Sequence, residues 1–387
     1  MRKKDIVIEQ EEMLEETPFK TLKESPLFCF SLGSKELFHS NFLWWLAEHE
    51  KSFFKAVLCQ LLKVRNIEWD EVKREEQNFD FCLKKDGRYT LLLENKVKSI
   101  PRKYQLDEYY EKVKKMQESS QCNYVLLALS ETFPNRDEIE KDWKIWSYQD
   151  LCSALVANIN KVSNDAYHHQ IISDYCAFAN GIHQLMNRWA LDDSSLFFPS
   201  EKENEVLSRL RIHDLREKLR FAQMECLLET EYFKGQVLKG CEDIKRENGS
   251  PSTECVYIGH SLTRAQGLLD VKLWLEDEFL YVIQIQGCNY KHGIEIMHGS
   301  NESLDNIAKS NQKIRSLRYF SFEGEKPNYG NEELFTEKLY PTGKELFNKY
   351  GNHFKYQNRH IKADVSVRDV LQNIKDEIDA IRKIYSK

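Results

Sequence analysis

The chain has 387 residues, 41% hydrophobic and 12% aromatic, enough for two or three packed cores and too apolar for a disordered chain. A formal net charge of -6 argues against coating nucleic acid through global charge, though it leaves room for a local basic surface around a carboxylate site. Ten cysteines are scattered singly, with no Cys-x-x-Cys pair and no disulfide-like cluster, and there is neither a signal peptide nor an apolar run of about 18 residues; a reducing cytoplasm and no membrane association are expected.

In chain order, residues 1–25 are acidic and expected to be flexible. Ser34 suits an N-cap for a helix carrying Leu37, Phe38, Phe42, Leu43, Trp45 and Leu46, and a second helix is expected over 51–63. From 68 to 94 the pattern alternates and is broken by Lys85-Asp86-Gly87-Arg88, which reads as a β-meander. After Pro101, residues 104–116 have helical spacing and 123–129 read as a buried strand. A strand near Ile145, a helix from Gln149 and a long helix over 166–191 complete an α/β domain spanning 26–192, with a boundary near 192–204. The second domain, 205–387, opens with a helix over 205–228 and a loop around Asn248-Gly249-Ser250-Pro251. It continues with β-like runs over 268–275 and 279–286 and ends in an amphipathic helix carrying Val367, Leu371, Ile374, Ile378 and Ile381. That helix either packs on its own domain or binds a partner.

Chemistry concentrates between Asp80 and Tyr109. If the strands bearing Asp80 and Glu94 are antiparallel neighbours, two carboxylates meet at one end of a hairpin and form a hard oxygen site suited to Mg2+ or Mn2+. Glu94 and Lys96, two apart on a strand, share a face and set an ammonium beside a metal-bound water. Asn95 points the other way and leaves its carbonyl available to the metal shell. Gln105 and Tyr109, four apart on a helix, share a face suited to hydrogen-bonding a phosphate or the lysine.

Asp80, Leu91-Leu92-Leu93-Glu94-Asn95-Lys96 and Gln105-Leu106-Asp107-Glu108-Tyr109 together resemble the PD-(D/E)XK nuclease superfamily, in particular branches with a Gln-x-x-x-Tyr helix such as the RecB-like and lambda-exonuclease-like cores. The resemblance covers roughly residues 34–130 and departs from some members at Asn78-Phe79, where they carry a proline before the aspartate. It implies an α/β restriction-endonuclease-like core, a central mixed β-sheet flanked by helices, followed here by a C-terminal mixed α/β domain for substrate, partner or oligomer binding. It also implies a divalent-metal-dependent nuclease acting on DNA more readily than RNA, with Asp80 and Glu94 as metal ligands, Lys96 as catalytic lysine, and Gln105 and Tyr109 orienting substrate. Glu36, on the preceding helix, is the matching position for a further metal ligand, and His39 shares its face. By fold-level analogy the role would be a prokaryotic antiviral defence or repair effector. A non-cleaving nucleic-acid-binding or scaffold protein that keeps the fold is the alternative, and a metal-dependent phosphatase a second enzyme reading.

Between Lys84 and Lys115 stand ten Lys or Arg against five acids, and Lys98, Arg102 and Lys103 are the basic residues expected at phosphates, a solvated basic face being the bland reading. From Phe347 to Ala363 basic residues interleave with aromatics and no acid occurs, suiting either nucleic acid or packing on its own domain. His168-His169 reads as ordinary surface, and no Walker-type loop is present, so no ATP-driven motor is expected. Asp270, Gln284 and Gln286 each stand 190 residues after Asp80, Glu94 and Lys96, which raises a degenerate second copy of the core as one reading of the C-terminal half.

Overall fold

A computed structural model describes residues 18–24, 27, 36–97, 99, 101–118, 121–129, 133, 136–163, 165–192, 194–198, 200–238, 255–263, 266–276, 279–296, 331–336, 348–351 and 353–385. Ser34, Lys98 and the 248–251 loop lie outside the described residues. The chain forms two units, one of Met1–Ala190 with Ser200–Leu219, the other of Leu191–Pro199 with Arg220–Lys387.

Unit 1 runs α1 (Phe19–Glu24), α2 (Glu36–His49), α3 (Lys51–Leu62), β1 (Glu71–Glu76), β2 (Phe79–Lys85), β3 (Arg88–Lys96), α4 (Lys103–Met116), β4 (Asn123–Ala128), α5 (Arg136–Ile139), β5 (Lys144–Ser147), α6 (Tyr148–Ala157), α7 (Ala166–Arg188), α8 (Glu201–Arg209) and α9 (His213–Leu227), the last reaching into unit 2. Local signals explain the ends. Asp86 and Gly87 both take positive φ, 49° and 74°, the mirror-image turn that matches strand twist in a two-residue hairpin. Ser147 and Asp150 close a capping box at the start of α6. The helix expected over 205–228 is two helices: Arg211 adopts φ 58° and Ile212 N–H bonds back to the Leu207 carbonyl at 3.0 Å, an αL termination with no glycine or proline to announce it.

The five strands order as β1-β2-β3-β4-β5, antiparallel across β1/β2 and β2/β3 and parallel across β3/β4 and β4/β5. Parallel strands need helical crossovers, and α4 supplies the one between β3 and β4. Leu91 and Leu93 of β3 and Val125 and Leu127 of β4 share a core with Phe42 of α2, Phe54 of α3, Leu151 of α6 and Phe178 of α7. The mixed sheet, meander first and crossover after, is the architecture the sequence leads one to expect.

Unit 2 contains β6 (Val237–Leu238), β7 (Val256–Thr263), β8 (Gln266–Glu276), β9 (Phe279–Gln286), β10 (Asn289–Ile296), β11 (Asn348–Tyr350), β12 (Phe354–His360) and α10 (Val367–Tyr385). Their order is β11-β12-β10-β9-β8-β7-β6, antiparallel except for β6/β7. Val271, Ile283 and Ile285 share a core with Val370, Ile374, Ile378 and Ile381 of α10, so this helix packs on its own sheet. Glu377 fixes it there: its buried carboxylate accepts the hydroxyls of Tyr281 and Tyr290, the latter at 2.8 Å, and lies 2.7 Å from His292 Nδ1.

The 190-residue echo survives only as a strand pair. Asp270 stands opposite Gln284 and accepts its amide at 2.9 Å, while Lys291 donates to Gln284 at 3.0 Å and Gln286 at 2.8 Å. From β9 the chain turns directly into antiparallel β10, where unit 1 passes through a helix into a parallel strand, so the topology of the first sheet is not repeated at this point.

Strand β10 meets β12 so closely at Gly293 that a Cβ there would lie 2.0 Å from the Lys355 carbonyl oxygen and 2.7 Å from Tyr356 Cα. Gly293→Ala is therefore expected to lower stability by about 2 kcal/mol or more in denaturant unfolding; a wild-type midpoint would contradict the close approach.

Candidate active site at the edge of the mixed sheet

The β2/β3 ladder pairs Lys85 with Arg88 and ends at Phe81 with Leu93. Beyond that pair, the next β3 amide to find a partner on β2 is Asn95 N–H, and the partner is a side chain: Asp80 Oδ2 accepts it at 2.7 Å. The carboxylate thus sits where the two strands stop pairing, while β3 continues along β4 as far as Lys96 opposite Ala128.

Two further charges lie at this edge. Lys96 Nζ is 2.6 Å from Glu94 Oε1, the two residues being 9% and 2% exposed. From α4, the Gln105 amide reaches Glu94 Oε1 at 3.3 Å and the Tyr109 hydroxyl at 2.8 Å, so both helix residues face Glu94. Glu94 Oε2 is buried with no hydrogen-bond partner among the described residues.

Burial pushes the Glu94 carboxyl up to about 7, with the Asp80 charge adding to the effect and Lys96 opposing it. Burial raises Asp80 as well, against the pull of the Asn95 N–H and Lys96. For Lys96, burial works against the charge, yet Glu94, Glu36 and Asp80 outweigh it and the ammonium is held above the ordinary lysine value. The result is a dry cation beside two carboxylates that are reluctant to ionise.

Asn95, between Glu94 and Lys96, turns its side chain to the opposite face and is fully buried. Its amide donates to the Glu36 carbonyl at 2.9 Å, and its side-chain oxygen accepts the Tyr148 hydroxyl. Glu36 completes the clasp, its Oε1 accepting Val97 N–H at 3.0 Å and Ser99 Oγ at 2.9 Å. Strand β3 is therefore fastened to the first turn of α2 at the level of the acidic residues. His39 lies inside the core, its Nδ1 3.0 Å from the Tyr175 hydroxyl and its ring edge-on to Tyr148. The side chain that sequence reasoning passed over is Tyr148; a capping box marked where α6 begins, but nothing in the sequence showed that the first residue of that helix reaches Asn95.

Of the basic residues expected near phosphate, Arg102 precedes α4 in extended conformation and Lys103 is engaged with Asp107 at 2.6 Å. Lys98 is outside the described residues.

Among the described residues no three or more His, Cys, Asp or Glu side chains form a ready-made metal cage. Mg2+ does not require one, since it keeps several waters and is held by one or two carboxylates together with substrate oxygens. Asp80, Glu94 and the unpartnered Glu94 Oε2 fit that pattern.

Two outcomes follow from this geometry. Tyr148→Phe removes one hydroxyl and strands the Asn95 side-chain oxygen in the core, so unfolding experiments should show a loss of about 1–3 kcal/mol; a neutral effect would mean that this bond does not hold β3. Glu94 titrates near 7 in the folded protein against an ordinary value of 4.5, so between those values the folded state binds more protons than the unfolded state. The associated stability is full below about pH 4.5 and is lost as pH rises through about 7, on the order of 3 kcal/mol. Thermal unfolding should thus fall over this window more steeply in wild type than in Glu94→Gln, whose overall level drops because Lys96 loses its partner; equal slopes would contradict the assignment.

A family model described as the PD-(D/E)XK nuclease superfamily matches residues 27–177. Comparison with curated proteins and with solved structures returned no match. The mixed sheet flanked by helices agrees with that superfamily's core, and unit 2 adds a second sheet domain. The matched stretch contains Glu36, Asp80, Glu94, Lys96, Gln105 and Tyr109, and over residues 27–177 the chain is similar to the PD-(D/E)XK nuclease superfamily.

Proposed function

We propose that the protein is a divalent-metal-dependent nuclease that hydrolyses phosphodiester bonds of nucleic acid, DNA in preference to RNA. The observation that supports this reading is the buried Glu94–Lys96 pair beside the Asp80 carboxylate that accepts Asn95 N–H, where β2 and β3 part. Asp80 and Glu94 would hold Mg2+ or Mn2+, with the Asn95 carbonyl and Glu36 as further donors. When bound, the ion lowers the pKa of a coordinated water and offsets phosphate charge.

The chain's own groups supply the rest. Lys96 keeps its proton, which makes it a hydrogen-bond donor that orients the attacking water and balances charge building on the phosphate oxygens, and disfavours it as the base. Gln105 holds Glu94 from α4, Tyr109 accepts from the same Gln105 amide, and both would orient the substrate phosphate from that helix face. Arg102 and Lys103 add positive charge at the start of that helix, and Lys98 is the third basic residue proposed to meet phosphate. Unit 2 would select the substrate, a partner or a second copy. Among the described residues no helix is long and apolar enough to cross a membrane, and a cytoplasmic defence or repair effector is the setting in which we place this chemistry.

The test is cleavage of plasmid and single-stranded DNA in Mg2+ or Mn2+ by wild type, Asp80→Ala and Lys96→Ala. Loss of activity by about a hundredfold or more in each variant is expected. Undiminished cleavage by both variants would remove the site, and hydrolysis confined to mononucleotides would replace the nuclease reading by a phosphatase.

A further inference from the structure

In the five-stranded sheet, one cleft lies at β1 and another at β4 and β5, on either side in strand order of the strands that carry the acidic residues. On the β1 side, a groove of about 390 Å3 is lined by Asn41 and Trp44 of α2 and by Lys73, Arg74 and Glu75 of β1. Arg74 lies over the Trp44 ring at 4.6 Å and donates to the Asn41 side chain, so its guanidinium is held in a fixed plane. Arg74 pairs with Phe81, the residue after Asp80, and Glu75, at φ 52°, contributes to the field at Asp80. On the other side, a smaller cleft of about 190 Å3 is lined by Ala128 at the end of β4, Ser147 at the end of β5, and Arg136 and Gln149. Ala128 is the residue that pairs with both Lys96 and Ser147, so this cleft continues the row that starts at the lysine. The one acid lining it, Asp150, is turned back to its own helix cap, accepting Ser147 N–H and Oγ at 2.8 Å each.

By register Arg74 is level with Phe81, next to Asp80, and Ala128 is level with Lys96, and sheet order puts the strands that carry Asp80, Glu94 and Lys96 between the two clefts. From β1 to β5 is four strand spacings, about 19 Å at roughly 4.8 Å each. At about 3.4 Å per nucleotide along a helical strand, this span takes about five or six nucleotides. A planar guanidinium with several donors is the side chain best suited to phosphate oxygens, and here one stands on each side.

We propose that a nucleic-acid strand lies along the edge that carries Asp80, Glu94 and Lys96, its phosphates held by Arg74 on one side of the scissile bond and by Arg136 on the other. The substrate is then a polymer that continues past the site in both directions. This inference rests on the nuclease reading for the meaning of the central site but concerns binding alone.

The experiment measures binding of a fluorescein-labelled single-stranded DNA of about twelve nucleotides to the full chain in an Asp80→Asn background, by anisotropy at two salt concentrations. Arg74→Ala and Arg136→Ala should each weaken binding about five- to tenfold and reduce the salt slope by about one. Arg88→Ala, an exposed arginine at the opposite end of β3, should leave it unchanged. Thermal unfolding of the variants separates a binding effect from misfolding. Unchanged affinity in either Arg74→Ala or Arg136→Ala, in a folded variant, overturns the two-sided path even if the protein cleaves DNA. Loss in both, in a protein that never cleaves, keeps the path and removes the nuclease reading. Equal losses in all three variants would reduce the effect to general charge and also overturn the proposal.

Discussion

A single hydrogen bond, from the Asn95 backbone N–H to the Asp80 carboxylate, sets the arrangement of the candidate site in unit 1. It forms where the β2/β3 ladder stops, so a side chain takes over the pairing that a strand neighbour would give, and the acid is drawn to the opening between two strands. Everything chemical at this edge depends on that parting. Glu94 and Lys96 enter a nearly dry space together and compensate one another at 2.6 Å, while Asp80 remains close enough to raise Glu94 and support Lys96. A buried carboxylate with one unpartnered oxygen is costly, and such strain is tolerated at places where a ligand relieves it.

The face behind the site explains why the arrangement holds its shape. Asn95 fastens β3 to α2 through the Glu36 carbonyl and to α6 through Tyr148, and Glu36 in turn secures the residues after β3. Side chains proposed to face a phosphate need neighbours that hold them in place, and here those neighbours sit on helices. Alternation along a strand makes this possible: Glu94 and Lys96 face the site, and Asn95 between them faces the anchor.

Much of this was legible in the residues because it rests on short-range rules. Asp86-Gly87 marked the hairpin and so brought the end of β2 that carries Asp80 near Glu94, although the exact level is set by a register shift at Leu83/Lys84 that no residue announced; two-residue spacing put Glu94 and Lys96 on one face; four-residue spacing did the same for Gln105 and Tyr109. What could not be read depends on distant contacts. Tyr148 meets Asn95 across 53 positions of sequence, and Arg74 gains its plane from Trp44 and Asn41 on another element. The break at Arg211 was invisible for a different reason: an arginine adopts the αL conformation there, where sequence rules look for glycine. In unit 2, Asp270, Gln284 and Gln286 repeat the spacing of the site without its surroundings, since an antiparallel hairpin takes the place of the crossover helix. Spacing alone describes a strand pair; the helix and parallel strand that follow make it a site.

The central claim is that Asp80 and Glu94 share a divalent ion beside Lys96. A crystal structure of the full chain grown with Mn2+ tests it most directly through anomalous scattering. The account predicts a peak between the two carboxylates, on the side facing Gln105. A manganese ion bound elsewhere, with Asp80 and Glu94 left uncoordinated at saturating metal, would contradict it.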